Sequence, residues 1–166
     1  MKIAILTTGF SYGGAERVAI SLANWLSLKK VDVFLISIIK TEMPNYFYNH
    51  KLQFFINDQP SSGGLKALLQ REHYVSMRLK EIKPDIVFSM FISCTILALP
   101  YTVFSLKRHK VKLIVSERNN PNVIYNKPTK LIVKATSCLV DGYIFQTERV
   151  KSFFPNKIVK KATVIH

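Results

Sequence analysis

Two short stretches carry the residue types that handle anions and sugars. The first is TTGFSYGGAER, Thr7 to Arg17, where a short apolar strand (Ile3 to Leu6) runs into Gly13-Gly14 and an amphipathic run follows at once. A strand feeding a helix through two glycines presents backbone N–H groups at a helix N-terminus. Unsatisfied donors and the positive end of the dipole favour a phosphate there. Glycine lets an anion approach the backbone itself, although a tight strand-to-helix turn without a ligand uses glycine for the same conformational reason. Spacing excludes two better-known phosphate loops. Gly9 and Gly14 have the separation of a P-loop, but Ala15 stands where its lysine belongs. The dinucleotide fingerprint fails as well, because Gly9 and Gly13-Gly14 do not give G-x-G-x-x-G and the second strand leaves through LISIIK with no acid to hold a ribose.

The second stretch is Ser116-Glu117-Arg118-Asn119, leaving the carboxyl end of an apolar strand, which is where open α/β sheets place ligands. Arg118 suits a phosphate or acceptor contact and Asn119 a hydrogen bond. A polar loop closed by Pro121 is the plain structural alternative. Within the first stretch, Glu16 complements the helix dipole and Arg17 is either a substrate contact or a solvated cation. Ser89, Met90 and Phe91 end another strand and are candidates to line the same crevice, with a core role favoured for Phe91. Gln146, Thr147 and Glu148 read first as a helix cap and first turn.

These residues need a frame. Short apolar, β-branched runs alternate with longer stretches of helical period, the pattern of repeated βα units around a parallel sheet. Lys2 to Leu6, Val31 to Ile38, Leu52 to Ile56, Asp85 to Ser89, Lys112 to Ser116, Gly142 to Phe145 and Thr163 to Ile165 read as strands. The expected fold is therefore α/β, a Rossmann-like, doubly wound, mainly parallel sheet of about seven strands with helices on both faces, forming one domain over residues 1–166. Ala15, Val18, Ala19, Leu22 and Leu26 fall on one helical face, and Leu65, Leu68, Leu69, Val75, Leu79 and Ile82 on another. TEMPNYFYNHK, Thr41 to Lys51, has no period and is expected to project as an irregular piece at one edge.

Ile86 to Leu106 carries no charge and is long enough to span a bilayer. Its Ser, Thr, Cys and Pro residues, and the Lys83-Pro84-Asp85 entry before it, favour a buried strand, turn and core helix instead. Met1 to Leu6 is too short for a secretory signal, which implies a cytosolic chain. Cys94 and Cys138 lie in apolar contexts and read as two buried, reduced thiols. The four histidines are scattered and no metal-ligand spacing occurs, so no metal is expected.

The net charge of +14 predicts an anionic partner. Lys107, Arg108, Lys110 and Lys112 concentrate it, in a region between Tyr101 and Val140 whose single acid is Glu117. With aromatic pieces such as NYFYNHKLQFF, this suits docking on an anionic membrane surface. Nucleic acid is not expected, since no matching motif accompanies the charge.

GGAERVAISLANWL resembles the first glycine loop and helix of family 4 retaining glycosyltransferases of the GT-B fold. VSERNNP (Val115 to Pro121) and DGYIFQTERVKSFFP (Asp141 to Pro155) are similar to later segments of members that build surface polysaccharides. The three occur in the family's order along nearly the whole chain. The resemblance implies a nucleotide-sugar donor whose pyrophosphate meets the amides of Gly13 and Gly14. It also implies a glycan or lipid-linked acceptor in a cleft with Glu16, Arg17, Ser116, Glu117, Arg118 and Asn119. The histidine that many members carry near this last loop is replaced by Glu117-Arg118-Asn119, so its role does not transfer. No glutamate has another eight positions on, the pair that family members carry in a second domain. The chain thus resembles the N-terminal, acceptor-side half, with a C-terminal donor domain as its expected partner and little or no transferase activity alone. The competing reading is a non-catalytic, flavodoxin-like domain that binds phosphate, a nucleotide or a protein.

Overall fold

The computed structural model describes residues 1–10, 13–58, 63–106, 111–119 and 127–165, and for residues 105, 106 and 127–129 the backbone alone. Seven strands form one sheet: β1 (Lys2–Thr7), β2 (Asp32–Ser37), β3 (Gln53–Phe55), β4 (Ile86–Ser89), β5 (Lys112–Glu117), β6 (Gly142–Phe145) and β7 (Ala162–Val164). Their order is β3-β2-β1-β4-β5-β6-β7, and every pairing is parallel. The sheet is wholly parallel where a mainly parallel one was expected. Strands buried on both faces read as continuous apolar runs, as IAIL and VFLI do here.

The helices are α1 (Gly14–Leu28), α2 (Leu65–Ile82), α3 (Ile92–Leu106), α4 (Lys127–Thr136), α5 (Glu148–Ser152) and α6 (Asn156–Val159). Chain order runs leftward from β1 to β2 and rightward from β4 to β7. Right-handed crossovers therefore put α1 on one face of the sheet and α2, α3 and α4 on the other. α1 packs on β1 and β2, while α2 and α3 pack on each other. The uncharged run from Ile86 resolves into β4, a turn and α3, and among the described residues no helix is long and apolar enough to cross a membrane.

Two aspartates fix strand register. Asp85 accepts the Lys2 N–H at 2.7 Å while donating its own N–H to the Lys2 carbonyl at 2.9 Å. Asp141 repeats the arrangement at Leu113, at 2.8 Å in both directions. Each sits immediately before a strand and ties its start to the neighbour.

Both helical faces read from periodicity need correction in part; on α1, Ala19 is buried and Ala15, Leu22 and Leu26 pack against the core as expected, and Val18 is the one that departs. In α1 the buried residues are Ala19, Ile20, Ala23 and Ser27, with Val18 exposed. The small alanines let the helix lie close on the sheet, which turns the bulkier Val18 and Leu22 toward a groove. In α2, Val75, Leu79 and Ile82 are buried as expected, but Leu65, Leu68 and Leu69 are 72%, 46% and 59% exposed, because the first turns of that helix extend past the short edge strand β3. The Thr41 to Lys51 segment is irregular but tied down. Asn24 of α1 donates to the Phe47 carbonyl at 2.9 Å and accepts the Asn49 N–H at 2.8 Å, and Tyr48 meets Phe54 edge-on.

Candidate functional site

The order of the sheet reverses between β1 and β4, and the loops after these strands open a crevice at their carboxyl ends. Gly13 is the N-cap of α1, extended at φ −163°, so its backbone imposes no need for glycine. The constraint comes from Glu16. Its carboxylate lies in the space that a Cβ on residue 13 would fill, and it accepts a 3.4 Å hydrogen bond from the Thr8 hydroxyl. Gly14 has nothing within 4 Å of its own Cβ position. One glycine makes room for a side chain of the protein, and the other borders open space.

That space is a pocket of 380 Å³ lined by Gly14, Ala15, Glu16, Phe91, Arg118, Asn119 and Gln146. A larger groove of 740 Å³ adjoins it, sharing Arg118 and Gln146 and running over Val18, Leu22, Phe88, Met90, Ser116 and Ile144. The cleft thus has a polar end at the start of α1 and an apolar floor along the carboxyl ends of β4, β5 and β6.

Glu117 is buried and does not present itself to the cleft. One of its oxygens accepts the Ile92 N–H at 3.2 Å, capping α3, and the other accepts the Asn119 N–H at 2.8 Å. A carboxylate is well placed at a helix N-terminus, where the dipole and free amides stabilise it. The bond to Asn119 also bends the chain so that Arg118, between them, points outward. The Arg118 guanidinium is half-buried, and burial holds its pKa below the usual value. An arginine remains protonated under such a shift. Among the described residues it makes no hydrogen bond or ion pair, and it is a partly desolvated cation lining the cleft.

Cys94, in the first turn of α3, is fully buried, and its thiol is pushed up to about 12, mainly by burial and further by the nearby Glu117 and Glu16 carboxylates. It is an inert member of the core, as expected of a buried thiol, whereas Cys138, expected to be buried too, is exposed because it lies just past the end of α4 at the surface. Ser89 is buried and spends its hydroxyl on the Phe91 carbonyl at 2.7 Å.

The structure therefore brings together Gly14, Glu16, Ser116, Arg118 and Asn119. Gly13 stands behind Glu16, Glu117 beneath the loop, and Arg17 is exposed without lining either groove. Lys107, Arg108 and Lys110 lie outside the described residues. Lys112 is exposed at the start of β5, the opposite end of the sheet from the cleft. Thr147 is the expected N-cap, its Oγ1 accepting the Val150 N–H at 3.2 Å. Gln146 lines both parts of the cleft, which the capping reading missed. It directly follows β6, and the rule that singled out the residues after β5 applies to it equally.

Solved structures share this fold. The chain superposes on sucrose-phosphate synthase from Thermosynechococcus elongatus with a TM-score of 0.73 at 10% identity, covering 99% of this chain and 47% of that one. On HepE of Anabaena, in complex with UDP and glucose, it gives 0.69 at 16%, covering 100% and 44%. The lipopolysaccharide outer core galactosyltransferase WaaB, in its apo form, gives 0.65 at 17%, covering 99% and 45%. The fold is that of a Rossmann-like GT-B domain. UDP-N-acetylglucosamine 2-epimerases share it too, so the likeness fixes architecture rather than reaction. The chain spans less than half the length of the synthase, HepE and WaaB. No family model and no curated protein matches the sequence.

Proposed function

We propose that this chain is the N-terminal half of a retaining glycosyltransferase resembling family 4, using a nucleotide-sugar donor to extend a glycan or lipid-linked acceptor in surface polysaccharide synthesis at the cytoplasmic face of a membrane. One observation carries the reading: the open side of Gly14, at the N-terminus of α1, shares a pocket with the half-buried guanidinium of Arg118, which has no partner among the described residues. Both attract a diphosphate. Similarity of fold to a structure holding UDP and glucose supports the same ligand class.

In this reading the α1 amides and Arg118 stabilise the charge that gathers on the departing diphosphate, which is the main task left to the protein when the donor phosphate itself helps deprotonate the acceptor. Glu16 and Asn119 receive sugar or acceptor hydroxyls, and the apolar floor from Leu22 to Ile144 holds the less polar part of the acceptor. A C-terminal domain supplies the remaining donor contacts, and this chain alone transfers little or no sugar.

The test is a titration of ¹⁵N-labelled chain with UDP and, separately, with uridine. UDP is expected to shift the amides of Gly14, Ala15 and Asn119, uridine to leave them in place, and Arg118→Gln to weaken the UDP response by roughly tenfold, the value of one charge-assisted contact. Equal shifts with both ligands, or none with UDP at millimolar concentration, would overturn the reading.

A further inference from the structure

β1 and β2 stay zipped past their carboxyl ends. The Thr7 and Thr8 carbonyls accept the Ile38 and Ile39 N–H groups at 3.0 and 3.1 Å. Beyond Thr8 the tie changes character. The Phe10 N–H donates at 3.1 Å to the hydroxyl of Thr41, a side-chain oxygen in place of a backbone one. That hydroxyl gives its own proton to the Glu42 carbonyl at 3.3 Å, which leaves a lone pair for Phe10. Gly9 makes room for it, since a Cβ there would lie 3.3 Å from the Thr41 oxygen and 3.4 Å from its Cβ. The Phe10 ring is buried and meets Phe54 edge-on, with centroids 5.3 Å apart. Backbone and ring together fix Phe10, three residues before the N-cap of α1 at Gly13.

We infer that Thr41 is a positioning residue for the amides of Gly14 and Ala15 at the N-terminus of α1. The inference rests on the proposed diphosphate site and names a residue outside it, since Thr41 lines neither part of the cleft. It stands in a separate recess of 170 Å³ that it shares with Phe10 and Lys40. The chain entering α1 is held from two directions: the Thr8 hydroxyl donates to Glu16 of the helix, and the Thr41 hydroxyl accepts from Phe10. Asn24, tied to Phe47 and Asn49, adds a grip on the body of α1 by the same segment after β2. The segment thus braces both the approach to the helix and the helix itself. Amides that must meet a diphosphate at hydrogen-bond distance bind more weakly when this support is loosened, because the ligand then has to impose the order itself. Without the Thr41 hydroxyl the Phe10 N–H loses its acceptor, and the entry to α1 loses one of its two restraints.

The experiment is a UDP titration of the full ¹⁵N-labelled chain and its variants, read beside their urea midpoints. Thr41→Val, of nearly the same shape without the hydroxyl, is expected to weaken the UDP response of the Gly14 and Ala15 amides about five-fold, the worth of one neutral hydrogen bond. Thr41→Ser keeps the hydroxyl and is expected to restore the response. Gly9→Ala crowds that hydroxyl from its other side and is expected to weaken binding by a similar factor, with the double variant no worse than either single one. Ile158→Val, fully buried in α6, is expected to lower the urea midpoint while leaving UDP binding unchanged, which separates positioning from stability at large. An undiminished UDP response in Thr41→Val would overturn the inference and leave the diphosphate site standing. Failure of Thr41→Ser to restore binding, an equal loss in Ile158→Val, or full additivity of the Gly9 and Thr41 losses would overturn it as well. A wild-type chain that gives no response to UDP would overturn the functional reading and this inference together.

Discussion

The Glu16 carboxylate occupies the volume that a side chain on residue 13 would need, three positions earlier in the chain. Glycine is required there by a neighbour and not by backbone angle. Gly13→Ala is expected to push Glu16 off its Thr8 contact and cost about 1 kcal/mol, the worth of one hydrogen bond. In a Glu16→Ala background the same substitution should cost nothing, and a double-mutant cycle of urea midpoints reads the difference.

Gly14→Ala should behave in the opposite way. Its Cβ meets open space, so stability is unchanged or rises by up to about 1 kcal/mol as helix propensity improves. UDP binding should weaken, because a methyl group would stand at the α1 amides. Thermal melts and UDP titrations of the same variant separate the two effects.

Glu117 holds two elements at once. Glu117→Ala leaves the Ile92 and Asn119 amides without their acceptor in a buried place and is expected to cost about 3 kcal/mol. Glu117→Gln, which keeps one carbonyl oxygen, should cost about half as much. Arg118→Gln, which removes a desolvated cation without a partner among the described residues, should leave the unfolding midpoint where it was.

The two thiols should differ sharply. Exposed Cys138 is expected to react with a thiol reagent in the native state and buried Cys94 only on unfolding. The raised Cys94 pKa also links folding to pH. The thiol stays protonated in the fold while the unfolded chain ionises near 9.0, so its stabilising contribution is full below pH 9 and is lost as pH rises toward about 12. Tyr143, raised by burial from 10.0 to about 12, acts in the same direction over its own window. Cys94→Val should flatten the alkaline decline of the melting temperature.

Much of the frame was legible because a parallel sheet imposes a strong code. Strands buried on both faces must be apolar throughout, and Lys2 to Leu6 and Gly142 to Phe145 announce themselves that way. The outward leucines of α2 were not legible. Periodicity marks an apolar face but cannot tell how far the sheet beneath it extends, and β3 is only three residues long. Of the candidate site, the places of Gly14 and Arg118 along the cleft could be read because each needs only its own position beside a strand end, whereas the reason for Gly13 lies in Glu16 and could not. Glu117 could not. Its task depends on Ile92, 25 residues away, and a buried cap looks in sequence like any acid in a polar loop.

The first strand, an interior one, imposes an order on folding. β1 is hydrogen-bonded to β2 on one side and to β4 on the other, and Ile3 finds its second partner only at Ile86. During synthesis, the β1, α1, β2 unit emerges as a local hairpin of elements, while the other flank of β1 stays an open, apolar edge until more than half the chain has left the ribosome. That interval is the time of greatest exposure to aggregation. Any change that slows the appearance or docking of β4, such as loss of the Asp85 tie to Lys2, should lower the yield of folded protein more than it lowers the stability of the molecules that do fold.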